Sequence, residues 1–339
     1  MYKNPYEHTS GIIKNSKVKE AGFEEQQFFT GQINMNYVSG PDNGVPLVLI
    51  PAQMGTWESY KKVMIPLSEK FKVYVVEIRG HGKSSWTPGN YSWKIIGEDM
   101  KAFLKDVVKN KAIIAGNSSG GIIALWCAAN LPDFIMGAVI EDAPVFSAEI
   151  PRFKEQDKYV YNGLKHLVDT IGNIENRDIA NYFKGLKMPV SENRNKEMPD
   201  WFVKILSKMI KKYEANHPGQ PLEVGFADTL RVMLKSLSMF DPDFSRAFVD
   251  GRFYEGIDHK DALSRAKCPL LIMHANWHRY KDWGLVGAMD DEDAAQILKL
   301  APHAKYIKIP ANHVIHVFKP KLYIEAVENF AREIEIQGS

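Results

Sequence analysis

Short runs of apolar, often β-branched residues alternate along this chain with longer stretches whose apolar residues recur every three to four positions. The first pattern is typical of strands buried in a parallel sheet, and the second of helices that cover such a sheet. The first two strands are expected to form an antiparallel hairpin at one edge. We therefore predict an α/β fold with a mostly parallel eight-stranded sheet flanked by helices. Strands are predicted at 23–30, 33–38, 47–50, 73–78, 112–115, 137–141, 270–273 and 306–309, and helices at 58–70, 92–109, 121–130, 292–300 and 321–336.

The alternation of strand and helix is interrupted between about Val145 and Asp258. Apolar residues at 202, 205, 206, 209 and 210 are spaced for one face of a helix, and a second such run covers 227–239. This pattern predicts a core domain made of residues 1–144 and 259–339 and a helical cap (lid) domain made of residues 145–258. Ligands of open α/β folds bind outside the carboxyl ends of the strands, so the cap is expected to set the pocket size.

A candidate nucleophile lies in Gly116-Asn117-Ser118-Ser119-Gly120, between an apolar strand-like run and a helix-like run. This is the strand, sharp turn and helix context of the G-x-S-x-G motif. A serine held in a strained turn leaves little room for a Cβ two residues before and after it, which explains the glycines. Ser118 is therefore the predicted nucleophile.

A general base for such a serine is expected in the loop after the last strand. His313 occupies that loop, in Pro310-Ala311-Asn312-His313. His316, three residues further on, is interpreted as a packing or orienting residue.

The third member of a triad is a carboxylate that receives the Nδ1 proton of the histidine. Asn276, Trp277 and His278 follow strand 270–273, where this acid most often lies, and none is a carboxylate. The preceding strand ends in Glu141-Asp142, whose side chains should point to opposite sides because side chains alternate along a strand. Asp142 is the predicted acid, and Asp282 is the alternative if its loop folds back.

An oxyanion hole needs two backbone donors. One is expected to be the amide of Ser119, which follows the nucleophile, and the other comes from the loop Pro51-Ala52-Gln53-Met54-Gly55. Gln53 is the predicted second donor.

Taken together, these motifs resemble the α/β-hydrolase superfamily over most of residues 20–335. The pattern of Gly116 to Gly120, Glu141-Asp142-Ala143-Pro144 and Asn312-His313 is similar to the fungal zearalenone lactonases. That resemblance implies an acid after the strand that follows the nucleophile helix, which here is Asp142. It also implies that His81, in Arg79-Gly80-His81-Gly82-Lys83-Ser84, is structural.

Composition indicates which classes of binding partner are expected. The net charge is +2, from 43 basic and 41 acidic residues, and gives no signature of nucleic-acid binding. Two cysteines indicate no disulfide framework. Neither a signal peptide nor an apolar stretch long enough to span a bilayer is evident, so a cytoplasmic protein without a membrane partner is expected. The acidic run at 290–293 is interpreted as a helix start, so no metal and no cofactor are predicted.

The chemistry that fits these residues is acyl transfer to water. We predict a serine hydrolase that cleaves a carboxylic ester or lactone through an acyl-enzyme, with a small-molecule substrate. Serine at the turn argues against the related enzymes that use a carboxylate nucleophile. Two alternatives stay open: a ligand-binding receptor-like protein of the same fold with little turnover, and a hydrolase that cleaves carbon–carbon bonds. The sequence does not decide the oligomeric state.

Overall fold

The computed structural model describes residues 2–9, 11, 13, 15–191 and 194–338. Its strands and helices follow in chain order. The strands are β1 Glu24–Phe29, β2 Asn34–Ser39, β3 Pro46–Ile50, β4 Lys72–Glu77, β5 Ala112–Asn117, β6 Ile135–Glu141, β7 Lys187–Ser191, β8 Arg194–Glu197, β9 Leu270–His274, β10 His278–Tyr280, β11 Gly284–Val286 and β12 Lys305–Lys308. The helices are α1 Ser16–Glu20, α2 Met64–Leu67, α3 Trp93–Phe103, α4 Ser119–Asn130, α5 Arg152–Glu155, α6 Lys158–Ile171, α7 Asp200–Asn216, α8 Asp228–Ser238, α9 Pro242–Asp250, α10 His259–Arg265, α11 Asp291–Leu300, α12 Ile315–Phe318 and α13 Pro320–Gly338.

Eight strands form one sheet in the order β1-β2-β4-β3-β5-β6-β9-β12. The pairs β1 with β2 and β2 with β4 are antiparallel, and the remaining pairs are parallel. The predicted sheet, including its antiparallel edge hairpin, is therefore confirmed. Two hydrophobic cores cover its faces, one under α3 and α4 and the other under α2 and α13.

The carboxyl ends of β3, β5, β6 and β12 bring four loops to one edge of the sheet. Since parallel strands end at the same edge, residues far apart in the chain meet there. The loops carry Gln53, Ser118, Asp142 and His313.

The chain between β6 and β9 contains α5 to α10 and a small antiparallel hairpin, β7 with β8. The helical runs predicted at 201–210 and 227–239 are present as α7 and α8. The hairpin has no counterpart in the prediction, since both of its strands are largely exposed and lack an apolar period.

The helix predicted at 58–70 is wrong as one continuous element. A 3-10 turn covers Trp57–Tyr60, and the short helix α2 follows after a break. Pro66 explains the difference, because proline lacks a backbone N–H and its ring clashes with the carbonyl four residues earlier. Within the described ranges, no helix is long and apolar enough to cross a membrane.

Candidate active site

Ser118 lies in the turn between β5 and α4, with φ of 56° and ψ of −120°. Such a positive φ is strained for a residue with a Cβ, and the flanking backbone must pack closely to hold it. A Cβ added at Gly116 would lie 2.1 Å from the carbonyl oxygen of Gly120, and one at Gly120 would lie 2.3 Å from that of Ile50. Both glycines therefore permit backbone contacts that the turn requires. The Ser118 side chain stays partly accessible beside the amino terminus of α4.

His313 and Asp142 are joined by a hydrogen bond of 2.7 Å between Nδ1 of the imidazole and Oδ2 of the carboxylate. The other oxygen of Asp142 accepts the backbone N–H of Ala275 at 3.0 Å. The Asp142 side chain is 1% exposed, whereas that of His313 is 39% exposed. The carboxylate is thus buried and held by two donors, while the imidazole reaches the surface of the site.

The electrostatics favour a charged imidazole at this position. Burial opposes that charge, but the hydrogen bond to Asp142 and the negative charges of Asp142 and Glu141 outweigh it, so the pKa of His313 is raised above its ordinary value. This is the effect expected when a carboxylate stabilises an imidazolium.

Asn117 connects the turn that carries Ser118 to the loop that carries His313. Its Nδ2 donates to the carbonyl oxygen of His313 at 3.0 Å and to that of Glu141 at 3.2 Å. Among the described residues, no hydrogen bond joins the hydroxyl of Ser118 to His313. Such contacts are often loose in proteins without substrate and tighten when substrate binds.

The loop after β3 meets the start of α4. The backbone N–H of Gln53 donates to Oγ of Ser119 at 2.8 Å, and the Gln53 side chain donates to Oγ of Ser245 in α9 at 2.6 Å. The predicted oxyanion donor therefore lies at the nucleophile turn, but its N–H is engaged by a neighbouring hydroxyl.

His81 holds the residue that follows Gln53. Its Nε2 accepts the N–H of Met54 at 3.2 Å, and its Nδ1 bonds to the carbonyl oxygen of Arg79 at 3.1 Å. Burial lowers the pKa of His81 to about 4, so the ring is neutral and can accept this N–H. Met54 has a φ of 65°, and this contact helps to hold that conformation.

A second acid–histidine pair lies next to the first. Nδ1 of His316 bonds to both oxygens of Glu141, at 2.9 and 2.8 Å, and the backbone N–H of His316 donates to the same carboxylate at 2.9 Å. Both side chains are almost fully buried, and the His316 ring stacks on Tyr60 with a centroid distance of 4.0 Å. The sequence offered one signal for this pair, the expectation that Glu141 and Asp142 point to opposite sides.

A cavity of about 330 Å³ opens between this edge of the sheet and α8. Its wall includes the loop 52–55, Asn117, His316 and apolar residues of α8 and α12, among them Val232, Met233, Leu237, Val317 and Phe318. Gln53 and the residues next to Ser118 and His313 thus line one largely apolar cavity. A larger cavity of about 610 Å³ is lined by ion-paired residues such as Glu58 and Lys235, and Ser118 is not part of its lining.

The remaining candidates from the sequence lie elsewhere. Asp282 is exposed in the turn between β10 and β11, so the structure brings Asp142 and not Asp282 to His313. Asp290 caps α11 through a reciprocal bond with Asp293, as expected for an acidic helix start. Cys127 and Cys268 are free thiols. Within the described residues, no group of three or more histidine, cysteine or acidic side chains is arranged to hold a metal.

The amino-acid sequence matches a known family model and several known proteins. The family model for the alpha/beta hydrolase fold matches residues 45–320. An AB hydrolase superfamily protein of Bacillus subtilis is 24% identical over 185 residues, which make up 54% of this chain and 67% of that protein. An esterase of Mycobacterium tuberculosis is 32% identical over 88 residues, or 26% of this chain and 28% of that protein.

Solved structures agree with the fold. An enol-lactonase from Burkholderia xenovorans aligns with a TM-score of 0.60 and 14% identity over 91% of this chain and 100% of that one. Est816, an enzyme that degrades N-acyl homoserine lactones, aligns with a TM-score of 0.60 and 18% identity over 90% of this chain and 100% of that one. At these identities the likeness concerns the fold.

Proposed function

Because the chain belongs to the α/β-hydrolase family, we propose that it is a serine hydrolase that cleaves a carboxylic ester or lactone through an acyl-enzyme intermediate. The single observation that carries the proposal is the 2.7 Å bond between Asp142 and His313, on the loop tied through Asn117 to the turn of Ser118. A strained serine, a buried acid and a histidine, in that chain order, are the parts that acyl transfer needs in this fold.

In the first half of the reaction, Nε2 of His313 takes the proton of Ser118 as Oγ attacks the carbonyl carbon. The same imidazolium then gives that proton to the leaving alkoxide, and the acyl group stays on Ser118. In the second half, His313 takes a proton from water, the resulting hydroxide attacks the acyl carbon, and the acid leaves as Oγ is reprotonated. Asp142 keeps the proton on Nδ1 and stabilises the imidazolium at each stage.

The oxyanion is proposed to lie between the N–H groups of Ser119 and Gln53. Ser119 begins α4, so its N–H lies at the positive end of a 12-residue helix. The N–H of Gln53 donates to the Ser119 hydroxyl in the structure. For Gln53 to serve the oxyanion, this hydroxyl must give up its place or share the donor.

The segment between β6 and β9 is proposed to act as a cap that selects the substrate. It contributes α8 to the cavity wall and anchors the loop of Gln53 through Ser245. The wall is mainly apolar, which suits an acyl or alcohol group with a hydrophobic body.

The test is hydrolysis of p-nitrophenyl esters of graded chain length and of aromatic lactones. We expect turnover by the intact protein and its loss, by about 10⁴-fold or more, in Ser118→Ala. Ser264→Ala, on the exposed side of α10, is the matched control and should keep full activity. Binding of these compounds without turnover in either protein would refute the enzyme proposal and favour a receptor-like protein.

A further inference from the structure

The segment between β6 and β9 carries an exposed apolar surface on α7 and on the loop that follows it. Trp201, Ile205 and Met209 are spaced by four residues, so they form one stripe along the helix, and they are 64%, 48% and 38% exposed. Phe226 in the following loop is 76% exposed. Its ring centroid lies 6.1 Å from that of Phe202, which lies 6.0 Å from that of Trp201, so Phe226 extends the stripe. Large apolar side chains grouped on a surface mark a site of interaction.

The packing of α7 does not account for this stripe. The helix already buries a different side in the hydrophobic core, through Val203, Leu206 and Ile210. A helix that covers a core normally carries polar residues on its outer side, because that side faces water. The exposed stripe is therefore apolar surface beyond what the fold requires.

The same side of α7 is positively charged. Lys204, Lys208 and Lys212 are also spaced by four residues, so they lie in a row beside the apolar stripe, and all three are exposed. None of them has an ion-pair partner among the described residues. Residues 184–215 contain eight lysine or arginine residues and four acidic ones, although the net charge of the whole chain is only +2. The stripe and these three lysines together form what we call the basic apolar face, which is complementary to an anionic partner.

The lysines decide between a lipid surface and a second copy of the chain. In a two-fold dimer this face would meet itself, so each row of lysines would approach its equivalent and repel it. An anionic bilayer attracts every lysine, and its acyl region accepts the apolar stripe. Lysine side chains are long enough to reach the headgroups while the helix lies deeper. The basic apolar face therefore fits a lipid surface.

We propose that the protein docks on anionic phospholipid bilayers through the basic apolar face, with α7 parallel to the bilayer surface. Trp201, Ile205 and Phe226 enter the boundary between headgroups and acyl chains, and the three lysines bind the anionic headgroups. The expectation of a protein without a membrane partner concerned segments that span a bilayer, and a helix that lies on the surface needs none. The docking does not depend on the proposed function, because it requires no turnover.

The experiment is flotation of the intact protein with lipid vesicles in a density gradient. One set of vesicles contains phosphatidylglycerol and phosphatidylcholine in equal parts, and the other contains phosphatidylcholine alone. We expect the partition coefficient to be about tenfold or more higher for the anionic vesicles, and to fall as salt is added, because the lysines act through screened electrostatic attraction. No binding to the anionic vesicles, or equal binding to both sets, would overturn the proposal.

An apolar variant assigns the binding to this face. Trp201→Ser should lower the partition coefficient for the anionic vesicles by about tenfold or more, because a large apolar side chain no longer enters the bilayer. Phe29→Ser, which removes an aromatic residue of similar exposure on the edge strand β1, is the matched control and should bind like the intact protein. Equal binding by the Trp201→Ser and Phe29→Ser proteins would contradict the assignment.

A charge-reversal variant tests the lysines separately from the net charge of the protein. Three lysines of α7 are replaced by glutamate in one variant, and three exposed lysines elsewhere are replaced in the control, so both proteins carry the same net charge. The substitutions are Lys204→Glu, Lys208→Glu and Lys212→Glu in the variant, and Lys17→Glu, Lys19→Glu and Lys105→Glu in the control. We expect the partition coefficient to fall by about 100-fold or more in the variant and by less than about tenfold in the control. Equal losses would show that overall charge and not this face binds the lipid, and circular dichroism confirms that each protein folds.

Sedimentation velocity without lipid separates lipid docking from self-association. If Trp201→Ser leaves the sedimentation coefficient of the protein unchanged, the face is free in solution and available to a bilayer, which supports the proposal. If the intact protein is a dimer and Trp201→Ser converts it to a monomer, a second copy of the chain covers the face and the proposal is overturned.

Discussion

Asp142→Asn is the substitution that tests the proposed triad most directly. Asparagine has nearly the shape of aspartate, but one of its terminal atoms is an NH₂ donor. Oδ1 of Asp142 accepts the N–H of Ala275 at 3.0 Å, and Oδ2 accepts the Nδ1 proton of His313 at 2.7 Å. The amide oxygen of asparagine must stay on Ala275, because an NH₂ group there would face another donor.

This orientation turns the NH₂ group towards Nδ1 of His313. The imidazole then accepts at Nδ1 and carries its proton on Nε2, so it cannot take the proton of Ser118. For this wrong tautomer we expect a loss in kcat of about 10⁴-fold, or about 5 kcal/mol of transition-state stabilisation. The fold should persist, since volume and the Ala275 bond are kept.

The assay is steady-state hydrolysis of the best p-nitrophenyl ester, with thermal unfolding followed by circular dichroism on the same samples. Asp282→Asn is the matched control, because Asp282 is exposed in its turn and should affect kcat less than about twofold. A loss below about tenfold in a folded Asp142→Asn protein would refute the reasoning. An inactive Asp282→Asn variant would identify Asp282 as the acid of the triad.

Three further predictions follow from the same contacts. Because His313 must be neutral to act as a base and its pKa is raised, kcat/KM should fall on the acid side with a midpoint above pH 6.5. A midpoint at or below pH 6.5 in the pH profile of kcat/KM would contradict the electrostatics. Gly120→Ala places a Cβ 2.3 Å from the carbonyl oxygen of Ile50, so it should lower the free energy of unfolding in urea by about 1–3 kcal/mol. Gly163→Ala in α6 is the control, because its Cβ meets open space and should not lower the free energy of unfolding. Ser119→Ala frees the N–H of Gln53 and should raise kcat/KM by up to about tenfold, which is the effect of one added hydrogen bond to the oxyanion. A clear decrease in kcat/KM would show that the Ser119 hydroxyl assists the reaction.

Much of this arrangement could be predicted from local patterns. Buried strands show as short apolar runs, and the order of serine, acid and histidine follows from the loops at their ends. The alternation of side chains at the end of β6 predicted that Glu141 and Asp142 diverge, and the structure gives them different histidines. The strand-to-helix turn at Ser118 was also recognisable, because its glycines have a steric purpose.

The remaining features depend on contacts between distant segments. Neither the bond from Gln53 to the Ser119 hydroxyl nor that from Met54 to His81 leaves a periodic signal, since each joins two loops. The sequence favours a packing or orienting role for His316, which its burial fits, but the pairing of His316 with Glu141 depends on how α12 packs against β6. The hairpin of β7 and β8 could not be predicted, because most residues of its strands are exposed and give no apolar pattern.

Because two acids are neighbours at the end of β6, the register of this strand decides which carboxylate faces His313. Glu141 pairs with Met273 of β9, and the next N–H, that of Asp142, donates to the Met273 carbonyl at 2.8 Å. A slip of one residue would bring one carboxylate to the place of the other and put Ile140 or Ala143 where the second acid belongs, because side chains alternate along a strand. Insertions or deletions of a single residue in β6 should therefore be tolerated less than substitutions there, even when they preserve every residue of the site.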